Sequence, residues 1–369
     1  MTADTAPITG SVPGTDGWPA AQPPTATMQA VTFREFGGPE VLHLEQVPTP
    51  VPGPGQVLVR VAAVSVGRLL DLVARSGKHP YANFTFPHIL GAEHAGVIAG
   101  LGPGVDSVEL GQRVATFPVV TDPDCEFARA GRVELSPTLK IIGTHLQGAY
   151  AQYVVVPAVN VFAVPDGMSP ADAVAVALAG VVGMNQLRNA GFAPGDTVIV
   201  QGATSALGST TALLAQHLGC RVAVTSRHPE KRDRLRELGF DTVLDGTDAD
   251  FADQVRRAVG AADIVIDNLG DPTVFEHDLE VLAPGGAVVS SGAFLGRQVP
   301  LDLQRLYSRN QRVIGVRTGN LPAAGQLWSE VARGFRSVVD RTFPLADAAQ
   351  AHRYVERSGN VGRVCLFVP

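Results

Sequence analysis

Short apolar runs with alternating or β-branched character punctuate the first 160 positions. Gln29–Phe33, Val41–Gln46 and Gln56–Ala63 are such runs, parted by Gly37-Gly38-Pro39 and Pro52-Gly53-Pro54-Gly55; His94–Leu101, Arg113–Phe117 and Ala149–Val156 continue the series. Runs of this length bounded by Gly and Pro predict strands. Helical spacing is rare here, with a turn or two over Leu69–Arg75 as the exception. The pattern changes near Pro165. Ser169-Pro170-Ala171-Asp172 reads as a helix start, with serine at the N-cap and proline at the first helical position. Strands are then predicted at Thr197–Gln201, Arg221–Thr225, Thr242–Leu244, Asp263–Asp267, Ala287–Ser291 and Gln311–Val316. Helices over Ser209–Leu218, Pro229–Leu238, Phe251–Val259 and Val274–Leu282 fall between them. Alternation of this kind with short joints predicts a parallel, doubly wound sheet. The tail reads as a helix over Asp347–Tyr354 and a last strand over Arg363–Phe367.

Composition narrows the class. A chain of 369 residues with 45% hydrophobic content predicts two domains, each with its own core. The net charge of -6 argues against a nucleic-acid or anionic-membrane partner and leaves a small molecule as the expected ligand. Three scattered cysteines, Cys125, Cys220 and Cys365, make a disulfide framework improbable and fit a reducing cytoplasm. The most apolar stretch, Ala171 to Met184, is too short for a bilayer span, which takes about 20 residues. Residues 1–27 contain no Lys or Arg and are rich in Ala, Pro, Thr and Gly, so they read as a disordered leader rather than a secretory signal.

The strand Thr197–Gln201 runs into Gly202-Ala203-Thr204-Ser205-Ala206-Leu207-Gly208 and then a helix. Small residues at such a joint let a pyrophosphate approach the backbone and face the helix N-terminus. Packing alone also places small residues at strand–helix joints, but the surrounding βαβ series favours a dinucleotide site. The next strand ends in Thr225-Ser226-Arg227-His228, with no acid before Glu230. An acid there would hold a ribose diol and repel a 2′-phosphate. Ser226, Arg227 and Lys231 would instead bind that phosphate, so the expected cofactor is NADPH. Arg227 could alternatively be a solvated surface charge.

Several segments resemble the medium-chain dehydrogenase/reductase superfamily: Phe36-Gly37-Gly38-Pro39-Glu40-Val41-Leu42, Pro54-Gly55-Gln56-Val57-Leu58-Val59-Arg60-Val61, Leu90-Gly91-Ala92-Glu93-His94-Ala95-Gly96-Val97, Gly148-Ala149-Tyr150-Ala151-Gln152-Tyr153 and Pro194-Gly195-Asp196-Thr197-Val198. The resemblance runs from about residue 28 to the end and is strongest to quinone oxidoreductases and enoyl reductases. It implies an α/β architecture, a GroES-like β catalytic domain plus a doubly wound Rossmann domain. The expected boundaries are 28–160 for the catalytic domain, completed by 317–369, and 161–316 for the Rossmann domain. Zinc-dependent members carry a cysteine where Arg68 stands, a histidine where Ala92 stands and a cysteine near Leu178, so no metal is expected. Asp122-Pro123-Asp124-Cys125 and the residues to Ser136 resemble the structural-zinc lobe with one cysteine kept. One thiolate cannot close a tetrahedral site.

The resemblance also implies roles. Without zinc, a conjugated carbonyl or quinone is the easier acceptor, and its reduction needs an oxyanion partner and a proton. Related enoyl reductases carry a tyrosine in the segment after Gly77; here His79 stands nearest that position and Tyr81 two residues on. Tyr81 could equally be a rim aromatic, and His94 a buried structural histidine. Arg68 replaces an asparagine near the nicotinamide and would bind a substrate carboxylate, phenolate or enolate oxygen, or else pair with Asp71 or Glu93. Asn268, Gly292, Ala293 and Phe294 follow Rossmann strands where cofactor contacts are expected, and Arg363 matches a basic residue near the pyrophosphate. The resemblance further implies a homodimer joined through Gln311–Val316. The expected activity is thus zinc-independent, NADPH-dependent enoyl or quinone reduction. A zinc-free carbonyl reductase or alcohol dehydrogenase is the alternative, as is a non-catalytic NADPH binder.

Overall fold

The computed structural model describes residues 17–20 and 22–369. Its second half is a six-stranded sheet, all parallel, in the spatial order Thr242–Leu244, Arg221–Thr225, Thr197–Val200, Ala262–Ile266, Leu282–Ser290, Arg312–Gly315. In order of sequence this is 3-2-1-4-5-6, so the reversal point lies beside the first strand, where the dinucleotide loop begins. The four residues of that strand are fully buried, as a parallel strand covered on both faces requires. The parallel sheet, its strands and the intervening helices fall where the apolar pattern places them, within one to five residues at the ends. The helices Ala179–Ala190, Leu303–Ser308 and Leu321–Ala332 are additional to those the pattern gave.

The catalytic half is antiparallel apart from one parallel pair. Its large sheet runs Val161–Ala163, Arg113–Thr116, His94–Leu101, Gln56–Val66, Arg363–Phe367, Val339–Pro344, and Tyr153–Pro157 also pairs with Gln56–Val66. Two domain boundaries shift accordingly. Val161–Ala163 pairs with Arg113–Thr116, so the catalytic unit extends past residue 160. Leu321–Ala332 packs on Ala179–Ala190 in the Rossmann core, so the tail returns to the catalytic sheet only at Val339.

Two readings of the chain ends and the apolar stretch need correction. Trp18 is not part of a loose leader: its indole donates to the Met168 carbonyl at 2.9 Å and its ring stacks against the Arg113 guanidinium. Arg60 donates to the Ala20 carbonyl and the Gln22 side chain nearby. An amphipathic indole recovers both packing and a hydrogen bond by docking, which overrides the low hydrophobicity of its neighbours. The rest of the disordered-leader reading, residues 1–16 and 21, lies outside the described residues. Pro170–Ala190 is nearly continuous helix, 21 residues, and by length and composition alone could cross a membrane. Within the fold 83% of its most apolar window is buried between the layers, where an all-round apolar helix belongs. Ser169 caps its start by accepting from the Asp172 amide.

Candidate active site

The dinucleotide loop is built by local sequence. Gly202 takes a φ of 61°, which favours glycine. Ser205 caps the helix Ala206–His217 by accepting from the Gly208 amide at 3.0 Å. A Cβ on Gly208 would sit 2.6 Å from the Gly202 carbonyl oxygen, so only glycine lets helix and loop close up. Thr225 holds the loop from the next strand, its carbonyl accepting from Ala203 and its hydroxyl from Gly202. Ala203 is itself buried, so its methyl packs inward and the backbone of Thr204–Leu207 forms the exposed rim. The first helical amides, which lack intrahelical acceptors, then face the loop mouth. These residues fit a nucleotide pyrophosphate.

The other cofactor candidates gather around this loop. Ser226 is buried and its hydroxyl accepts from the His228 amide. Arg227 is exposed and has no acidic partner among the described residues; its Nε contacts the His228 ring. Lys231 is half-buried and donates to the Asn360 carbonyl at 3.2 Å. Burial, with Arg68 and Arg227 close by, lowers its ammonium pKa. No carboxylate stands at the end of the Arg221–Thr225 strand: Asp245, the nearest acid across the sheet, is bound by Arg232. Asn268 Oδ1 accepts from Gln186 Nε2 and from the Ser291 amide, both at 2.9 Å, which fixes the amide plane. Its Nδ2 is a buried donor without a partner. Gly292 and Ala293 lie beside it, a Cβ on Gly292 meeting the Asn268 carbonyl at 2.8 Å. Gln186 was not foreseen, because a polar residue on an apolar helix gives no local signal of what it holds.

The positions compared with zinc ligands hold other chemistry. Ala92 and Leu178 offer no donor atom, and among the described residues no group of three or more His, Cys, Asp or Glu converges. Cys125 donates to Ser136 Oγ at 3.5 Å in the lobe remnant. The Glu93 carboxylate is fully engaged: it accepts from the Ala179 amide at 3.2 Å and pairs with Arg363 at 2.6 and 2.8 Å. This corrects the expectation for Arg363. Its backbone neighbour Gly362 donates to the Thr204 carbonyl of the dinucleotide loop, but its guanidinium is turned away and buried against Glu93. A carboxylate buried at that depth demands a countercharge, and Arg363 supplies it.

Arg68 opens a single wide helical turn, Arg68–Val73. Its Nη2 donates to the Val355 carbonyl at 2.7 Å and to Ser358 Oγ at 2.8 Å, and its guanidinium lies 5.6 Å from the Phe294 ring centroid across the cleft. The anticipated pairing with Asp71 or Glu93 does not occur. Asp71 is buried and accepts from the Gly67 and Gly91 amides; burial pushes its carboxyl up to about 7. Phe294 itself is 55% exposed.

His79 and Tyr81 separate clearly. Tyr81 is 76% exposed and its hydroxyl has no partner, so it stands on the rim. His79 is buried; its Nδ1 accepts from the Tyr81 amide at 3.3 Å, which places the ring proton on Nε2, and Nε2 has no partner. Burial, then the nearby His145, lowers its pKa, so the ring is a neutral donor. His94 is deeper: Nδ1 donates to the Ala92 carbonyl, and burial takes its pKa down to about 4.

Apart from Arg363, the turn Ser358–Arg363 went unforeseen. Ser358, with φ 54°, holds Arg68; Asn360 holds Lys231; Gly362 meets the loop; Arg363 meets Glu93. One six-residue segment therefore touches Arg68, Lys231, Glu93 and the dinucleotide loop.

Comparison with known proteins agrees with this construction. Residues 53–166 match the alcohol dehydrogenase GroES-like domain and residues 206–333 the zinc-binding dehydrogenase domain. A solved NAD-dependent alcohol dehydrogenase superposes with a TM-score of 0.84 at 32% identity, covering 93% of this chain and all of the other. L-galactonate-5-dehydrogenase of Escherichia coli strain K12 is 28% identical over 85% of this chain and 92% of its own length. The 2-haloacrylate reductase of a Burkholderia species is 29% identical over 92% of this chain and 99% of its own. With a GroES-like sheet, a 3-2-1-4-5-6 nucleotide sheet and the loop between them, the chain belongs to the medium-chain dehydrogenase/reductase superfamily and is an NAD(P)-dependent oxidoreductase of small molecules.

Proposed function

We propose that this protein is a zinc-independent, NADPH-dependent reductase of α,β-unsaturated carbonyl compounds or quinones. The observation that carries the reading is His79: a buried neutral imidazole whose Nε2–H has no protein acceptor, on the segment that follows Arg68. A buried donor left unpaired costs stability and is kept where a ligand completes it. The residues at Arg68, Ala92 and Leu178 do not fit a catalytic zinc, so the charge developing on an acceptor oxygen needs another partner.

NADPH held at the dinucleotide loop would supply a hydride to the β-carbon, and the chain would then have to stabilise charge on the carbonyl oxygen and deliver a proton to the α-carbon. His79, with its proton on the unpartnered Nε2, would be the group to hold that proton. Arg227, Ser226 and Lys231 hold the 2′-phosphate, the Thr204–Gly208 rim holds the pyrophosphate, and Asn268 Nδ2 donates at the nicotinamide end. Gln186 and Ser291 keep that amide from rotating.

The test is a panel of enones, enoyl thioesters, quinones, ketones and alcohols followed at the NADPH absorbance band, with metal content measured on the same preparation. Saturated carbonyl or hydroquinone product with no stoichiometric zinc supports the reading. Alcohol formation, or activity lost on chelation, refutes it.

A further inference from the structure

Arg68 is a cation with no carboxylate among its hydrogen-bond partners, and Glu356 is the acid that acts on it through space. Arg68 is half-buried, and burial lowers its pKa. Neither of its hydrogen bonds goes to a carboxylate; both acceptors are neutral, and both are taken by Nη2. Nε and Nη1 have no protein partner among the described residues. The acids around it are already satisfied. Asp71 is on the same helical turn but accepts from two backbone amides. Glu93 is bound by Arg363, and Glu356 by Arg75 at 2.5 Å. Both two-donor edges of a guanidinium run through Nη2, which Val355 and Ser358 occupy, so Arg68 offers an anion its positive charge and separate N–H donors at Nε and Nη1. Its other contact, the Phe294 ring, belongs to the loop after Gly292-Ala293. The guanidinium therefore lies between its own catalytic-domain turn and a loop of the Rossmann domain.

We propose that Arg68 binds a carboxylate on the substrate, so that the acceptor is an α,β-unsaturated carboxylic acid. This rests on the reductase reading above and narrows its substrate class. A conjugated carboxylate is a poor acceptor in water, because its carbonyl already bears the negative charge that addition would increase. A guanidinium in a cleft of low polarity offsets that charge and makes the β-carbon electrophilic. Val355 and Ser358 hold Nη2 and so fix the plane of the guanidinium, leaving Nε and Nη1 as its unpartnered donors.

The experiment uses the full chain saturated with NADPH. Acrylate, crotonate and cinnamate are titrated beside their methyl esters, with binding read from the fluorescence of bound NADPH. The acids are expected to bind at least about tenfold tighter than the esters. Arg68→Gln, which keeps donors and loses the charge, should weaken the acids roughly tenfold to a hundredfold, as loss of a charge-assisted hydrogen bond does. NADPH affinity should stay within about twofold, and Arg68→Lys should retain part of the acid affinity. Acid binding unchanged in Arg68→Gln overturns the inference. Equal weakening of NADPH also overturns it, because the guanidinium then belongs to the cofactor's phosphates. If Arg68→Gln does not fold, a wild-type preference for the esters overturns it alone, and a preference for the acids that is weakened but kept in Arg68→Lys supports it. Neutral enones reduced without affinity for the acids would defeat this inference and leave the reductase reading standing. Acids bound with no acceptor of any class turned over would do the reverse.

Discussion

Replacing Arg363 by Met isolates the Glu93 carboxylate. The two side chains are 8% and 4% exposed and meet through contacts of 2.6 and 2.8 Å, so solvent cannot take over the pairing. Glu93 would keep only the Ala179 amide, at 3.2 Å. Two unit charges about 4 Å apart at an effective dielectric near 20 interact by about 4 kcal/mol. Removing one partner of a buried pair costs about 3–5 kcal/mol. For a cooperative unit of about 200 residues, at roughly 2–4 °C per kcal/mol, the melting temperature should fall by about 6–20 °C. Glu93→Leu combined with Arg363→Met removes both charges together and should recover most of that loss. Thermal and urea unfolding of the four proteins complete the cycle. A single substitution costing less than about 1 kcal/mol, or a double variant as unstable as the sum of the singles, would refute the argument that the pair exists to satisfy a buried carboxylate.

Four further outcomes are expected. Arg227→Asp should raise the dissociation constant for NADPH roughly tenfold to a hundredfold while sparing NADH; unchanged NADPH affinity would remove Arg227 from the phosphate site. His79→Phe should lower turnover by about a hundredfold or more with NADPH binding intact, whereas Tyr81→Phe should leave turnover near wild type; the opposite order would move the donor to the rim. His352 accepts from Arg75 and contacts the Tyr150 hydroxyl, and burial takes its pKa down to about 3, below the unfolded value near 6.5. The unfolded chain therefore binds the proton first, and this group's stabilisation is lost as pH falls from about 6.5 toward 3. Asp71, raised to about 7, contributes with the opposite slope below pH 7. Unfolding free energy from urea titrations should consequently change its slope against pH in His352→Gln by up to about 1.4 kcal/mol per pH unit, the variant gaining relative to wild type as pH falls below about 6.5, and an unaltered slope would exclude this histidine. Finally, Arg312–Gly315 is the open edge of the nucleotide sheet, with Leu303, Tyr307 and Val313 exposed on it or on the helix and turn leading to it. Light scattering should give a mass near twice 38.6 kDa, reduced to one chain by Val313→Lys.

The fold was legible where one rule governs a whole segment. Parallel strands buried on both faces must be short and apolar throughout, so Thr197–Val200, Arg221–Thr225 and Ala262–Ile266 announce themselves between Gly-marked joints. Boundaries between domains are a different matter. Val161–Ala163 reads like any short strand, and only its pairing with Arg113–Thr116 assigns it to the catalytic sheet. Trp18 was lost in a polar, proline-rich context because docking depends on the Met168 carbonyl and the Arg113 side chain, about 150 and 95 residues away in sequence.

The site divides along the same line. Backbone-driven features, the small-residue loop and the serine cap of its helix, follow from local geometry and could be read directly. Charges could not, because a charged side chain is defined by its partner. Arg363 and Arg68 look alike in sequence, each a lone arginine beside glycine. In the fold one is neutralised by Glu93 and the other meets only neutral acceptors. That difference arises because the Ser358–Arg363 turn folds back onto four separate segments, giving Arg363 to the interior and Ser358 to the cleft. A buried cation and its acid cancel within the protein; a half-buried cation held by a hydroxyl and a carbonyl leaves its charge available. The sequence marks both positions as basic, but only their partners decide that Arg363 is neutralised by Glu93 while Arg68 is held by neutral acceptors.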